Sequence, residues 1–160
     1  FDELTPGEPD VMIGKYTEWN AINHDRLVTS YDAVVETLEE LHKLGVKMAI
    51  VSTKSRESLA RGLKVLCAEQ FFDVIVGLDD VEHVKPHPEP VLLALQKLGI
   101  EKEEAIMIGD NSHDIEGGQN AGVRTAGVAW SAKGVDYLMS YEPTYMLHHM
   151  RDLLEIVKGE

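Results

Sequence analysis

The sequence predicts an α/β fold in which helices cover both faces of an open, mostly parallel sheet. After Gly45, short apolar runs alternate with amphipathic segments. The apolar runs are typical of strands buried on both faces, and Gly99 and Gly122 end two of the amphipathic segments as helix-terminating residues do. A repeated order of strand, helix and strand favours a Rossmann-like sheet.

The first thirty residues do not follow this alternation and are expected to form a small helical accessory unit. A helix is predicted over Val11–Val28, although its apolar residues make no clean stripe. A second helix is predicted over Asp32–Leu44, where apolar residues recur at helical spacing before Gly45. The expected division is therefore residues 1–30 as the accessory unit and residues 31–160 as the α/β core.

The remaining elements follow in order along the core. Strands are predicted at Met48–Val51, Val74–Leu78, Ile106–Ile108, Thr125–Ala129 and Tyr145–Leu147. Helices are predicted at Glu57–Leu66, Glu89–Leu98, Asp114–Ala121 and Met150–Val157.

Composition limits the classes of function. The chain has 160 residues, enough for about one domain with a real core, and it carries 15 Lys and Arg against 28 Asp and Glu. A net charge of -13 disfavours nucleic acid and anionic membranes as partners. It still permits a small anionic substrate if a metal ion supplies positive charge. The single cysteine, Cys67, and a start without a basic-then-apolar signal pattern favour the cytoplasm.

Polar residues that suit phosphate chemistry follow three of the predicted strands. Ser52, Thr53 and Lys54 follow the first strand, Lys85 follows the second, and the pair Asp110 and Asp114 follows the third. Ligands bind at the carboxyl ends of strands in such sheets, so these groups are expected at one edge. Hydroxyl and backbone N–H groups can hold phosphate oxygens and lysine neutralises them, while two carboxylates can hold a hard divalent cation such as Mg²⁺.

Each of these residues also has a purely structural interpretation. Ser52 and Asp110 could cap the helices that follow them, Lys85 could be an ordinary surface lysine, and Asp114 could favour a first helical turn. A hydroxyl, a lysine and a carboxylate pair that follow successive strands in this order indicate a phosphate site more specifically than any one of these residues does. Whether His83 and His87 contact substrate or pack in their loop stays open, as does a place for His113 at the site mouth.

Three runs of residues together resemble a known family. They are Ile50-Val51-Ser52-Thr53-Lys54, Lys85-Pro86-His87-Pro88-Glu89-Pro90 and Ile108-Gly109-Asp110-Asn111-Ser112-His113-Asp114. In this order they resemble the second, third and fourth motifs of the haloacid dehalogenase (HAD) superfamily. The resemblance runs from about residue 31 to the C-terminus, and the helices before it resemble the later part of that superfamily's helical cap.

The resemblance implies a role for each motif. Ser52 and Lys85 would bind the transferring phosphoryl group, and Asp110 and Asp114 would serve an Mg²⁺ site. Within the superfamily the chain resembles the phosphoglycolate phosphatase-like branch, and most of all bacterial inorganic pyrophosphatases. The implied activity is Mg²⁺-dependent hydrolysis of pyrophosphate through an aspartyl-phosphate. The alternatives are a phosphatase for phosphoglycolate or another small phosphomonoester, and a non-catalytic phosphate- or metal-binding module.

The superfamily's first motif, Asp-x-Asp-x-Thr, is absent from the sequence, in which no two Asp residues are separated by a single residue. That motif supplies the nucleophile, and its strand lies between the strands that end here at Val51 and Ile108. We therefore expect the 160-residue chain alone to be inactive and poorly soluble, because two strand edges would lack partners. A missing N-terminal segment of the same protein is the expected partner that completes the sheet.

Overall fold

The computed structural model describes residues 24–65 and 68–159, with side chains in the first helix described from Val34 onward. Six helices and five strands alternate in this part of the chain. They are α1 (His24–Lys43), β1 (Ala49–Val51), α2 (Arg56–Val65), β2 (Val74–Val76), α3 (Glu89–Leu98), β3 (Ile106–Gly109), α4 (Ser112–Ala121), β4 (Arg124–Val128), α5 (Val135–Met139), β5 (Tyr145–Leu147) and α6 (Asp152–Lys158). No helix among these residues is long and apolar enough to cross a bilayer.

All strand pairs among the described residues are parallel, which confirms the predicted fold class. β1 pairs with β2, placing Ile50 opposite Ile75. β3 pairs with β4, and β4 pairs with β5. The described strands form two sheets, with the orders β1-β2 and β3-β4-β5. β1 and β3 are not hydrogen-bonded to each other, so the predicted open sheet is divided between these two strands.

Helices pack on both faces of the strands and bury two apolar clusters. One cluster joins α1, α2 and α6 to the strands through residues such as Leu38, Leu59 and Leu153. The other joins α3 and the end of α4 through Val91 and Ala121. Strands covered on both faces need apolar side chains at successive positions, which explains why the strand segments are nearly continuous apolar runs.

A cavity of about 420 Å³ lies between β1 and β3. Its lining is mainly apolar and comes from both strands, from α1 and α6 on one face and from α3 on the other. Among the described residues, the facing sides of β1 and β3 are thus separated by a mainly apolar space and are not packed against each other. We call this cavity the interstrand groove.

The helices differ from the predictions at a few points. α1 runs unbroken from His24 to Lys43, so the predicted break between Val28 and Asp32 is wrong. The predicted helix over Val11–Val28 lies largely outside the described residues, and the division into accessory unit and core at residue 30 stays a prediction. The short helix α5 was not predicted, because five residues are too few to show a helical period.

The predicted second strand extends too far at its C-terminal end. Leu78 was assigned to it, but the strand ends at Val76, and Leu78 starts a 3₁₀ turn with half its surface exposed. Two adjacent carboxylates in this turn connect it to the start of α2. Asp79 Oδ1 accepts from the Arg56 backbone N–H at 3.0 Å, and Asp80 Oδ1 lies 3.2 Å from Arg56 Nη1.

Asp80 thereby connects the start of α2 to the end of β2. Its other oxygen accepts from the Gly77 N–H at 2.8 Å. Partial burial works to raise the pKa of Asp80, but the Gly77 N–H and the Arg56 guanidinium outweigh it and hold the pKa below its ordinary value of 3.8.

We expect Asp80→Asn to lower the free energy of unfolding by about 1 kcal/mol at pH 7, because it removes a charge-assisted contact. A carboxylate whose pKa is depressed by folding stabilises the native state above its unfolded pKa and loses that effect as pH falls through the folded pKa. The difference between variant and wild type should therefore shrink below about pH 3.8. Urea unfolding at several pH values measures it, and a pH-independent difference would contradict the assignment.

Candidate active site

The end of β1 presents the first of the predicted phosphate-binding groups. The Ser52 N–H donates to Val76 O at 3.0 Å, so the sheet pairing extends one residue beyond β1. Ser52 is 4% exposed, and its Oγ accepts from the Lys54 N–H at 3.1 Å. Thr53 and Lys54 are half-buried in the same tight turn. The turn thus gathers a hydroxyl and successive backbone groups at the carboxyl end of the strand.

Lys85 is a buried ammonium group and not a surface lysine. It follows β2 in a proline-rich loop whose Lys85–Pro86 peptide bond is cis. Its side chain is 1% exposed, and Nζ donates to Asp114 Oδ1 at 2.7 Å and to Val51 O at 2.9 Å. Val51 is the last residue of β1 and Asp114 lies in the first turn of α4. Lys85 therefore connects the two sheets across the end of the interstrand groove.

The predicted carboxylate pair follows β3. Asp110 is 7% exposed and Asp114 is fully buried. Asn111 caps α4, with its side chain accepting from the His113 N–H, while Asp114 Oδ2 accepts from the Asn111 N–H at 3.1 Å. Asp114 thus closes a capping box and binds Lys85 through its other oxygen, so one carboxylate fixes both the start of the helix and the lysine.

Gly109 makes this arrangement possible. A Cβ at this position would overlap the Asp114 side chain, including its Cβ and Oδ2. Gly117 in α4 has a similar, looser relation to Lys85, whose Cγ would lie 3.1 Å from an added Cβ. Glycine is therefore needed before Asp110 because the Asp114 side chain approaches the backbone closely, and not because the backbone conformation is unusual.

The structure also adds residues that the sequence did not single out. Ser131, which follows β4, donates from Oγ to Asp110 O at 2.7 Å. The Tyr137 hydroxyl donates to Ser112 Oγ at 3.1 Å. These residues brace the loop after β3 from behind. Their position after the fourth strand could have indicated that they lie at the same edge of the sheet, but no recognised motif marks them.

The carboxylates offer the oxygen donors that a hard cation requires. Mg²⁺ is held by one or two carboxylates together with waters and substrate oxygens. Asp114 has both oxygens engaged, one by Lys85 and one by the Asn111 N–H. Asp110 follows β3 directly, and the two carboxylates together are of the donor type that suits this ion.

Taken together, the structure brings most of the predicted groups to one edge. Lys85 contacts Asp114 directly and the carbonyl beside Ser52. Asp110, Thr53 and Lys54 lie on the adjoining strand-end loops. His113 is exposed in the first turn of α4. At this edge a hydroxyl, a lysine and two carboxylates thus come from three separate strand ends.

Comparison with known proteins identifies the class. A family model described as haloacid dehalogenase-like hydrolase matches residues 1–128. The chain belongs to this family of hydrolases, as the order of its motifs predicted. Fold and site thus define a phosphohydrolase of the haloacid dehalogenase type.

Curated relatives show which members of the family the chain resembles. The chain is 51% identical over 157 residues to "Pyrophosphatase PpaX" of Bacillus cereus (strain AH820), and 52% identical over 157 residues to the protein of that name in Halalkalibacterium halodurans. Each match covers 98% of this chain and 73% of the relative. The predicted resemblance to bacterial pyrophosphatases is confirmed.

Solved structures agree on the fold. A HAD-superfamily hydrolase from Ehrlichia chaffeensis matches with a TM-score of 0.65 and 31% identity, over 78% of this chain and 56% of that one. A predicted phosphoglycolate phosphatase from Haemophilus somnus matches with a TM-score of 0.69 and 26% identity, over 76% and 54%. The chain thus spans a little more than half the length of these solved proteins.

We expect Lys85→Met to lower the free energy of unfolding by about 3–5 kcal/mol, because it leaves the Asp114 charge buried without its partner. The double variant Lys85→Met/Asp114→Leu should recover a large part of this loss, since no buried charge remains. Urea unfolding of both variants and of Asp114→Leu alone gives the coupling energy. A coupling energy near zero would contradict the structural role of this pair.

Gly109→Ala should be strongly destabilising, by more than about 2 kcal/mol, because its methyl group overlaps Asp114 and must displace it. Gly62→Ala is the matched control, since Gly62 lies in α2 with nothing within 4 Å of an added Cβ. That change should be neutral or stabilising by up to about 1 kcal/mol. Thermal and urea unfolding compare the two, and equal effects would argue against the close packing at Gly109.

Proposed function

We propose that this protein is an Mg²⁺-dependent phosphohydrolase that cleaves inorganic pyrophosphate into two phosphates. The observation that carries the proposal is the connection of the three strand ends by Lys85, which binds both Val51 O and Asp114. Relatives that are about half identical over 98% of the chain bear the name pyrophosphatase. We also assign the protein to the cytoplasm, in keeping with its single cysteine.

Each group at the edge has a chemical role in this proposal. The Ser52 hydroxyl and the backbone N–H groups of the Thr53-Lys54 turn hold oxygens of the phosphoryl group that transfers. Lys85 neutralises part of its charge, and Lys54 adds a second ammonium group at the mouth. Asp110 is the direct ligand of the cation, while Asp114 holds Lys85 in place.

The charge balance of the edge supports a cation requirement. Lys85 shares its charge with Asp114 at 2.7 Å, and Asp110 offsets the charge of Lys54, in a chain whose net charge is -13. A pyrophosphate anion would meet no net positive charge at this edge unless a divalent ion is bound there. When bound, Mg²⁺ would supply positive charge at the phosphoryl oxygens.

The nucleophile, in this proposal, comes from a strand that occupies the interstrand groove. The inner edges of β1 and β3 have no hydrogen-bonded strand among the described residues, and both border the apolar cavity of about 420 Å³. One parallel strand could pair with both edges and bury the apolar lining. Its carboxyl end would then lie between Ser52 and Asp110. The expected occupant is a segment of the same protein that carries Asp-x-Asp.

The reaction then proceeds in two balanced steps. A carboxylate oxygen of the first Asp in that strand attacks phosphorus, an O–P bond forms, and the bond to the leaving phosphate breaks as the second Asp protonates it. Water then attacks the aspartyl-phosphate and the second Asp accepts its proton, which releases phosphate and the free carboxylate. Ser52 and Lys85 hold the phosphoryl oxygens throughout.

A small phosphomonoester such as phosphoglycolate is the second candidate substrate. It is favoured by the fold match to a predicted phosphoglycolate phosphatase. The phosphoryl-binding edge would serve either substrate equally, because both present the same group to Ser52 and Lys85. Discrimination must come from residues that contact the leaving group.

The protein that includes the proposed Asp-x-Asp strand, called here the strand-completed protein, should have a higher kcat/KM for pyrophosphate than for phosphoglycolate. Phosphate release with Mg²⁺ present measures the ratio of the two values. Asp110→Asn should reduce kcat by about 100-fold or more, because it removes a ligand of the cation that stabilises the transferring charge. His148→Ala, a surface change on β5's following turn, is the control and should leave the rate unchanged. A ratio of one or less would exclude pyrophosphate as the preferred substrate.

The 160-residue chain alone should release no phosphate, because it lacks a nucleophile in its sequence. Coexpression with a strand segment bearing Asp-x-Asp should restore both solubility and turnover, whereas the same segment with Asn-x-Asn should restore solubility only. Intact mass verifies each polypeptide. Turnover by the chain alone would disprove the missing-nucleophile proposal.

A further inference from the structure

A second group of metal-binding side chains lies outside the proposed Mg²⁺ site. His83, His87 and Glu89 each offer a donor atom, and these three atoms lie within 4.8 Å of one another. They come from the loop between β2 and α3, which also carries Lys85. In the part of the chain that the structure describes, this is the one set of three such residues that comes together in this way.

Glu89 is fixed in position by the loop that it faces. Its two carboxylate oxygens accept from the backbone N–H groups of Glu82 at 2.9 Å and His83 at 3.0 Å. The His83 Nδ1 atom lies 2.9 Å from Glu89 Oε2. The Glu82 N–H and the contact with His83 hold the pKa of Glu89 below its ordinary value, so this carboxylate is charged at neutral pH.

The two imidazole rings face each other. Their centroids are 4.5 Å apart with an interplanar angle of 22°. The Glu89 backbone N–H donates a hydrogen bond to His87 Nδ1 at 3.1 Å. Both rings are exposed, which leaves them room to rotate toward a common ion.

The loop between the two histidines is held rigidly at its centre. Lys85 is buried with both of its bonds made, and the Asn120 side chain donates to Pro86 O at 2.8 Å. The His87 N–H closes a turn onto Val84 O at 3.0 Å. The backbone that carries the three donors is thus preorganised by contacts that do not involve the donors themselves.

We propose that His83, His87 and Glu89 form a binding site for a borderline-soft divalent transition metal, with Zn²⁺ as its representative, separate from the Mg²⁺ site. Two imidazoles and one carboxylate are a donor set of the zinc type, in which water completes a tetrahedral shell. Zinc–ligand bonds near 2.0–2.1 Å place donors about 3.3 Å apart. Rotation of the two exposed histidine side chains would close the difference from the observed spacing, in which the donors lie within 4.8 Å of one another.

Binding exchanges existing contacts for metal bonds. The ion would replace the contact between His83 Nδ1 and Glu89 Oε2 and either the bond from the Glu89 N–H to His87 Nδ1 or the proton position on that ring. Since His83 and His87 flank Lys85, the ion would also stiffen the loop that presents this lysine.

The test is a titration of Co²⁺ and Zn²⁺ into the 160-residue chain, coexpressed with a complementing strand if solubility requires it. With excess Mg²⁺ present to fill the proposed Mg²⁺ site, we expect one Co²⁺ per chain and a tetrahedral Co²⁺ visible spectrum that Zn²⁺ abolishes. His83→Ala, His87→Ala and Glu89→Gln should each weaken binding by more than about 10-fold, since even indirect partners of metal ligands contribute that much.

Matched controls distinguish this site from other donors. The double variant His148→Ala/His149→Ala removes an exposed histidine pair elsewhere on the surface, and Asp110→Asn removes the proposed Mg²⁺ ligand. Both should bind Co²⁺ as the wild type does, and unfolding curves verify that every variant is folded. Absence of binding, or binding lost in a control but retained in His83→Ala and His87→Ala, would overturn the proposal.

Discussion

The buried contact between Lys85 and Asp114 is the interaction on which the site depends. An ammonium group and a carboxylate removed from water are costly to bury, and they persist here because each makes a second bond. Lys85 also binds the last carbonyl of β1, and Asp114 also binds the Asn111 N–H at the start of α4. One ion pair thus sets the relative position of two strand ends that share no backbone hydrogen bond.

The same geometry supports the proposal that a further strand completes the sheet. Lys85 crosses the end of a groove whose apolar walls come from β1, β3 and helices on both faces. In the proposal, an extended strand would cover these apolar walls and pair with both edges, which have no strand partner on this side among the described residues. The proposed phosphate-binding groups would then surround the place where that strand ends.

Much of the fold could be predicted from the sequence, because fully buried parallel strands produce apolar runs that periodicity detects. The five strands follow this rule. The helices near Glu89–Leu98 and Asp114–Ala121 could be predicted because their segments are amphipathic. The bracing by Ser131 and Tyr137 could not be predicted, since it depends on how β4 and α5 return to the loop after β3. Burial of Lys85 could not be read from its neighbours either, because its partners lie 29 and 34 residues away.

The central claim is that the Lys85–Asp114 pair supplies charge and position for phosphate, beyond its part in folding. The most direct test is phosphate binding, with Mg²⁺ present, to the strand-completed Lys85→Met/Asp114→Leu variant, measured by calorimetry beside the wild type. The account predicts a folded protein that binds phosphate at least about 10-fold more weakly, since the charged hydrogen bond lost contributes about 1.5–3 kcal/mol. Binding at wild-type affinity by the folded variant would contradict it.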